Sequence, residues 1–123
     1  MIDLDANFLV DVFRRGSSSA RLVDRWVHGG ESITISSVAW AEFLCGPVES
    51  RNAVEARGLL GGIEPLMDGD AVLGAELFNA TGRRVHSLPD CLIAAVALRR
   101  GAGLATIDAA DFRRFKNFGL KLA

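Results

Sequence analysis

Only two cysteines and two histidines occur in 123 residues, and neither type stands at disulfide-framework or zinc spacing. Cys45 and Cys91 lie inside apolar helical stretches, so both are expected to be buried thiols. His28 ends a predicted helix, where the partial negative charge of the helix end favours it, and His86 falls in a loop. Neither has neighbours suited to metal binding or general-base work. Lysine is scarce, with only Lys116 and Lys121 near the C-terminal end. Excess charge of one sign is also missing: the formal net charge is −1. No global basic field therefore draws in nucleic acid, and any such binding must use a local patch. The start Met-Ile-Asp-Leu-Asp carries neither a basic region nor a long apolar run. The expectation is no signal peptide, no membrane span and a cytoplasmic location. No repeat, linker or low-complexity segment interrupts the chain, which reads as a single domain over 1–123. Its residues are 50% hydrophobic and 24% charged, enough for a soluble core of its own.

What the chain does have is an alternation of short apolar runs with helical periodicity. Ile2 to Leu4 read as a buried strand, and Asn7 to Arg14 as a helix with Phe8, Leu9, Val12 and Phe13 at helical spacing. A second helix runs from Ala20 to His28, stopped by Gly29-Gly30. Ile33 to Ser36 is the second strand. Ser36 or Ser37 caps a helix holding Val38, Trp40, Glu42, Phe43 and Leu44, closed by Gly46-Pro47. A more polar, arm-like helix spans Val48 to Leu60. Ile63 to Met67 is a third strand that Pro65 confines to an edge. Asp70 is expected to cap a helix with Val72, Leu73, Leu77 and Ala80 inward. Cys91 to Leu98 form the most apolar helix, and Leu104 to Ile107 the fourth strand. A short helix over Ala109 to Phe115 and a last strand within Phe118 to Leu122 complete the pattern. Strands alternating with helices predict an α/β sandwich with a mainly parallel central sheet flanked by helices.

Within that frame five acids take on meaning. Asp5, Glu42, Asp90, Asp108 and Asp111 each sit where a strand ends or within a helix that follows one. In a parallel sheet the strand C-termini share one edge, and ligands bind there. Carboxylates gathered at such an edge repel one another unless a cation sits among them, and a hard divalent ion is the usual one. Mg²⁺ or Mn²⁺ would position a water and relieve negative charge on a phosphodiester.

The local motifs narrow this. The opening "MIDLDANFLV", with Asp5-Ala6-Asn7 after the first strand, resembles the start of PIN-domain ribonucleases; Ala6 stands where Thr or Ser is usual. "ISSVAWAEFLCG" resembles the family's second motif, and "LPDCLIAAVALRRGAGLATIDAADF" its third and fourth. The order and separations are similar over nearly the whole chain, which looks most like the VapC-type toxins of bacterial toxin–antitoxin pairs. The resemblance implies a three-layer PIN-like sandwich and a Mg²⁺- or Mn²⁺-dependent endoribonuclease acting on RNA. It also implies a homodimer and a small antitoxin partner. Carried over residue by residue, it makes Asp5, Glu42, Asp90 and Asp108 the metal-holding acids. Asn7 and Thr106 become supporting residues, Asn7 through a hydrogen bond to Asp5, and the hydroxyl lost at Ala6 weakens the support of Asp5.

Each residue also has a plain structural role open to it. Asp5 and Asp90 could only cap helices. Glu42, with apolar neighbours, is expected near the core, where an ordinary ion pair would account for it. Asp108 followed by Asp111 is close to a capping box, which favours Asp108 for the pocket and Asp111 mainly for the cap, with Asp111 the alternative ligand and joint action of the two through a water left open. Asp3 is expected at the surface or a sheet end. Trp26 and Trp40 read as core or interface residues. Arg83, Arg84, Arg99, Arg100, Arg113, Arg114 and Lys116 are the candidates for phosphate contact.

Two other functions compete. Asp3-Leu4-Asp5 resembles the two-aspartate motif of haloacid-dehalogenase-like phosphatases, which need a downstream Lys that this chain lacks outside its last residues. The same shortage counts against a phospho-receiver domain. A catalytically inactive PIN-like module that binds RNA or protein is the other alternative, and the full set of acids argues against it.

Overall fold

The fold is given by a computed structural model that describes residues 1–46 and 48–123. Its elements are β1 (Ile2–Leu4), α1 (Ala6–Val12), α2 (Ser18–His28), β2 (Ile33–Ser36), α3 (Ser37–Cys45), α4 (Ser50–Leu59), β3 (Gly62–Glu64), α5 (Asp68–Ala80), α6 (Leu88–Arg100), β4 (Gly103–Ala105), α7 (Ala109–Phe112), a 3₁₀ helix (Arg113–Phe118) and β5 (Lys121–Leu122). The five strands pair in the order β3-β2-β1-β4-β5, and every pairing is parallel. Parallel neighbours need crossover helices. Right-handed crossovers from β1 to β2 to β3 put α1–α4 on one face, and the return from β3 to β4 puts α5 and α6 on the other. This is the expected helix–sheet–helix sandwich.

Burial explains why each strand forms. All of β1 and β2 is buried, as a central strand with both faces covered must be. α6 contributes Cys91, Ile93, Ala94, Ala95, Val96 and Ala97 to the core. Its small residues let it lie close to the sheet and to α5, where Gly74 approaches Leu92 so tightly that an added Cβ would stand 2.6 Å from Leu92 Cδ2.

Several expected details differ. β3 stops at Glu64, immediately before Pro65, and is an edge strand. β4 ends at Ala105, so Thr106 and Ile107 lie in the loop beyond it. Asp70 caps α5 from within its first turn rather than as the N-cap residue, which is Met67: nearly fully buried, its Oδ2 accepts from the Met67 N–H at 2.9 Å and its Oδ1 accepts from Arg99 Nε at 2.8 Å. Val72 is 62% exposed rather than inward. Asp3 is not at the surface; it is 2% exposed and paired with Arg100 and Thr34. Cys45 is exposed, whereas Cys91 is buried as expected. Pro47, expected to close α3 with Gly46, lies outside the described residues. Among the described residues no helix is long and apolar enough to cross a membrane.

Candidate active site

The strand order reverses at β1: β2 lies on one side of it and β4 on the other. Such a switch point opens a crevice at the strand C-termini, and Asp5 is the first residue after β1. It is 5% exposed. Its Oδ1 accepts from the Ala6 N–H at 2.8 Å, capping α1, and its Oδ2 accepts from Thr106 Oγ1 at 3.0 Å. Thr106 follows β4 and in turn accepts from the Asp108 N–H at 2.9 Å. A single hydroxyl thus ties the two strand ends that flank the crevice.

A cavity of about 540 Å³ opens there, lined by five acids: Asp5, Glu42, Asp90, Asp108 and Asp111. Asn7, Val10, Arg14 and Phe112 are among the other residues around it. Burial raises the Asp5 carboxyl to about 6, against the pull of its two hydrogen bonds, and the charges of Asp90 and Glu42 push the same way. Glu42 is raised by desolvation and by Asp90. Asp90 is raised by burial, lowered by the Arg114 guanidinium and raised again by Asp111 and Asp108. These carboxylates feel one another, which residues merely scattered over a surface would not do.

The expected residues therefore converge, with corrections. Asn7 Nδ2 donates to Asp108 Oδ2 at 2.8 Å, so it orients Asp108 rather than Asp5. Thr106 supports Asp5 as expected, and the Ala6 N–H occupies the other carboxylate oxygen, so the missing side-chain hydroxyl at position 6 leaves neither oxygen bare. Glu42 is exposed on α3, facing the cavity instead of the core, because Phe43 and Ala39 are the residues that α3 turns inward. Asp90 is not an N-cap: Ser87 is, and Asp90 lies in the first turn of α6. Asp108 does precede α7, but its side chain makes no cap bond, and Asp111 joins it only through its backbone N–H. The Asp111 carboxylate lines the cavity instead.

Among the candidate cations, Arg99 is held by Asp70, and Arg100 by Asp3 and Glu64. Neither can serve as a free phosphate contact. The cation that does line the cavity, Arg14, was missed in the sequence. Its signal was only partial: Asn7, Val10 and Arg14 recur at spacings of three and four residues, but α1 ends at Val12 and Arg14 lies in the bend just beyond the C-cap Phe13.

A family implication of a divalent cation can be tested against this donor set. Among the described residues no three acids form a ready-made ligand cluster. They stand around the cavity rather than touching, and every donor facing it from these acids is a carboxylate oxygen. Mg²⁺ prefers oxygen and keeps several of its waters, so spread carboxylates reached partly through water suit it. The residues fit.

Comparison with known proteins agrees with this geometry. The family model for the PIN domain matches residues 2–117. The chain belongs to the PIN domain family. A VapC ribonuclease of Mycobacterium bovis is 32% identical over 120 residues, covering 91% of this chain and 89% of the relative. Ribonuclease VapC11 of Mycobacterium tuberculosis matches with the same identity and coverage. A toxin–antitoxin complex from Klebsiella pneumoniae has a similar fold, with a TM-score of 0.73 at 24% identity over 92% of this chain and 91% of that one. The PIN fold thus accounts for the all-parallel sheet.

Proposed function

We propose that this PIN-domain protein is the toxin of a type II toxin–antitoxin pair, a cytoplasmic endoribonuclease that depends on Mg²⁺ or Mn²⁺. The observation that carries the reading is the convergence of five carboxylates on one cavity at the switch point of the sheet. The identity to VapC ribonucleases supports it. Asp5, Asp90, Asp108 and Glu42 would hold the cation, with Asp111 beside them. Bound there, it would supply a positioned, more acidic water and charge relief for the phosphate.

The chain's own residues do the rest. Thr106 and the Ala6 N–H fix both oxygens of Asp5. Asn7 fixes Asp108 across the crevice. Arg14 stands at the cavity wall with its side chain 67% exposed and Nη1 3.7 Å from Asp11 Oδ1. Asp11 is itself anchored, accepting from Ser19 Oγ at 2.6 Å and Ser17 Oγ at 3.2 Å. That arrangement presents a cation to a phosphate that five acids would otherwise repel.

A partner should silence such a site. Val10, shared with the acid cavity, also lines a small apolar groove with Phe13, Phe43, Val48 and Asn52. A partner segment could seat an apolar residue in the groove and an Arg or Lys in the cavity. Half-buried Trp40 stacks on Phe43, and Leu44, next to Phe43 on α3, is 48% exposed, whereas Phe43 is too buried to be met from outside except through the groove. A second copy of the chain is the other partner proposed.

The test is incubation of purified protein with a mixed RNA pool. Cleavage is expected with Mg²⁺ or Mn²⁺, none with EDTA, and none for Asp5→Asn. Chelator-resistant cleavage by clean protein would remove the metal mechanism, and absence of cleavage with either ion would remove the ribonuclease. Trapping of an aspartyl-phosphate would favour the phosphatase alternative.

A further inference from the structure

Arg114 is the oddest cation in the molecule. It lies in the 3₁₀ helix after α7, with its side chain only 12% exposed. Its Nε and Nη2 atoms are buried and have no hydrogen-bond partner. Buried polar groups are almost always bonded, and a buried charge without partners is costly. What surrounds the guanidinium is specific. Its Cζ lies 4.7 Å from the centroid of the Phe115 ring, a cation–π contact. Nη2 faces Asp90 Oδ2 at 3.9 Å, too far for a hydrogen bond and close enough for strong attraction where water is excluded.

Arg114 does not line the acid cavity; Asp90 does. The cation therefore stands behind the acid, on its buried side. On the cavity side, among the described residues, five carboxylates face a single lining cation, Arg14, and Arg14 is largely exposed and so strongly screened. The cavity carries a like-charge problem that its own wall does not solve.

We propose that Arg114 is a positioning residue, the built-in counter-ion of the acid cavity. It holds Asp90 from behind, so that the carboxylates stand together before any divalent ion enters. The unsatisfied donors are then the consequence of a shared partner. Asp90 turns toward Arg114 when the cavity lacks a cation and toward the cavity when one is there, and Phe115 keeps the guanidinium in place in both. The part concerning the divalent ion rests on the function proposed above; the part concerning Asp90 does not.

The experiment is a thermal-unfolding cycle on the full chain: wild type, Arg114→Met, Arg114→Lys, Asp90→Asn and the Arg114→Met/Asp90→Asn pair, each in EDTA and in excess Mg²⁺. Methionine keeps much of the packing volume and removes the charge. In EDTA, Arg114→Met should melt at least about 4 °C below wild type, and Arg114→Lys close to wild type. Mg²⁺ should raise the melting temperature of Arg114→Met more than that of wild type, because the ion replaces the missing charge. Adding Asp90→Asn should restore most of the loss in EDTA. Equal losses in EDTA and Mg²⁺, with the Asp90→Asn effect simply additive, would make Arg114 a packing residue and overturn the proposal. So would an unchanged Arg114→Met. If Arg114→Met fails to accumulate as folded protein, the double variant decides: folded supports the proposal, unfolded overturns it. If Mg²⁺ does not shift wild type at all, the metal reading fails, and the EDTA half of the cycle still judges Arg114.

Discussion

One carboxylate, that of Asp5, caps α1, accepts from Thr106 and faces the cavity. These roles make Asp5→Asn an informative change. Asparagine still caps a helix and removes a charge that burial disfavours. In the metal-free protein the variant should be more stable at pH 7 by about 1–2 kcal/mol, a discounted conversion of the upward shift of its carboxyl. It should bind and cleave nothing that needs the cation. Denaturant unfolding in EDTA checks the first part. For the late acids the geometry redirects the expectation: Asp111 makes no side-chain cap bond and raises Asp90 by its charge. Asp111→Asn should therefore leave metal-free stability unchanged or slightly higher while slowing cleavage. Asp108→Asn should slow cleavage by about tenfold or more, since Asn7 loses its charged partner as well. A melting curve and a cleavage rate for each variant separate ligand from cap. Arg14→Ala should raise KM more than it lowers kcat, and should reduce the salt dependence of single-stranded RNA binding by about 0.7 in log–log slope, one phosphate contact. An unchanged slope would make Arg14 a bystander.

At the scale of elements, α6 carries the site. Its first turn holds Asp90 and its last turn Arg100. Asp3 lies on β1, and Asp5, the first residue after it, is still extended, so the two, two residues apart, project from the same face of the sheet. Arg100 reaches Asp3 and Glu64, and also donates to Thr34 Oγ1 at 2.9 Å. This buried link pins the end of α6 to β1 and β2 and fixes how far along the strand its first turn lies, which is to say where Asp90 stands relative to Asp5. Breaking one partner of a buried pair is expensive, about 3–5 kcal/mol. Arg100→Met should lose stability on that scale by denaturant unfolding, and Arg100→Lys part of it. The apolar run of α6 made the helix legible in the sequence. The role of Arg100 was not legible, because adjacent arginines at a helix end look alike until their partners are known; here Arg99 turns to Asp70 and Arg100 to Asp3.

For the whole molecule, the acids predict how stability varies with pH. Asp5 has an ordinary value of 3.8 and a folded value of about 6. The folded state then holds the proton more tightly than the unfolded one. The stability this contributes is present in full below the ordinary value and is lost as pH rises through about 6. Glu42 and Asp90 are shifted upward too and act in the same direction. Asp11 is shifted downward and acts oppositely, but only below the ordinary carboxylate range. In EDTA the melting temperature should therefore rise as pH falls from about 7 to 5. Mg²⁺ at tenfold its dissociation constant should restore about 1.4 kcal/mol at neutral pH and little at pH 5, where protons compete for the same oxygens. A metal-free protein whose stability is flat between those values would mean that the acids do not share one cavity in solution.

The sequence by itself determined the α/β alternation, the parallel sheet and the acids at its strand ends, because periodicity and strand-end placement are local properties of the chain. Its motifs also carried the family. Only the tertiary structure decided which contacts those residues make. Asn7 pairs with Asp108 rather than with Asp5, which it neighbours in sequence, and Asp3 is buried against Arg100. Glu42 faces the cavity and Arg14 joins it. Each of these depends on partners about 30 to 100 residues away or on how a helix is rotated about its axis. Local pattern names the element on which a side chain sits. The packing of one element on another decides where its charge points.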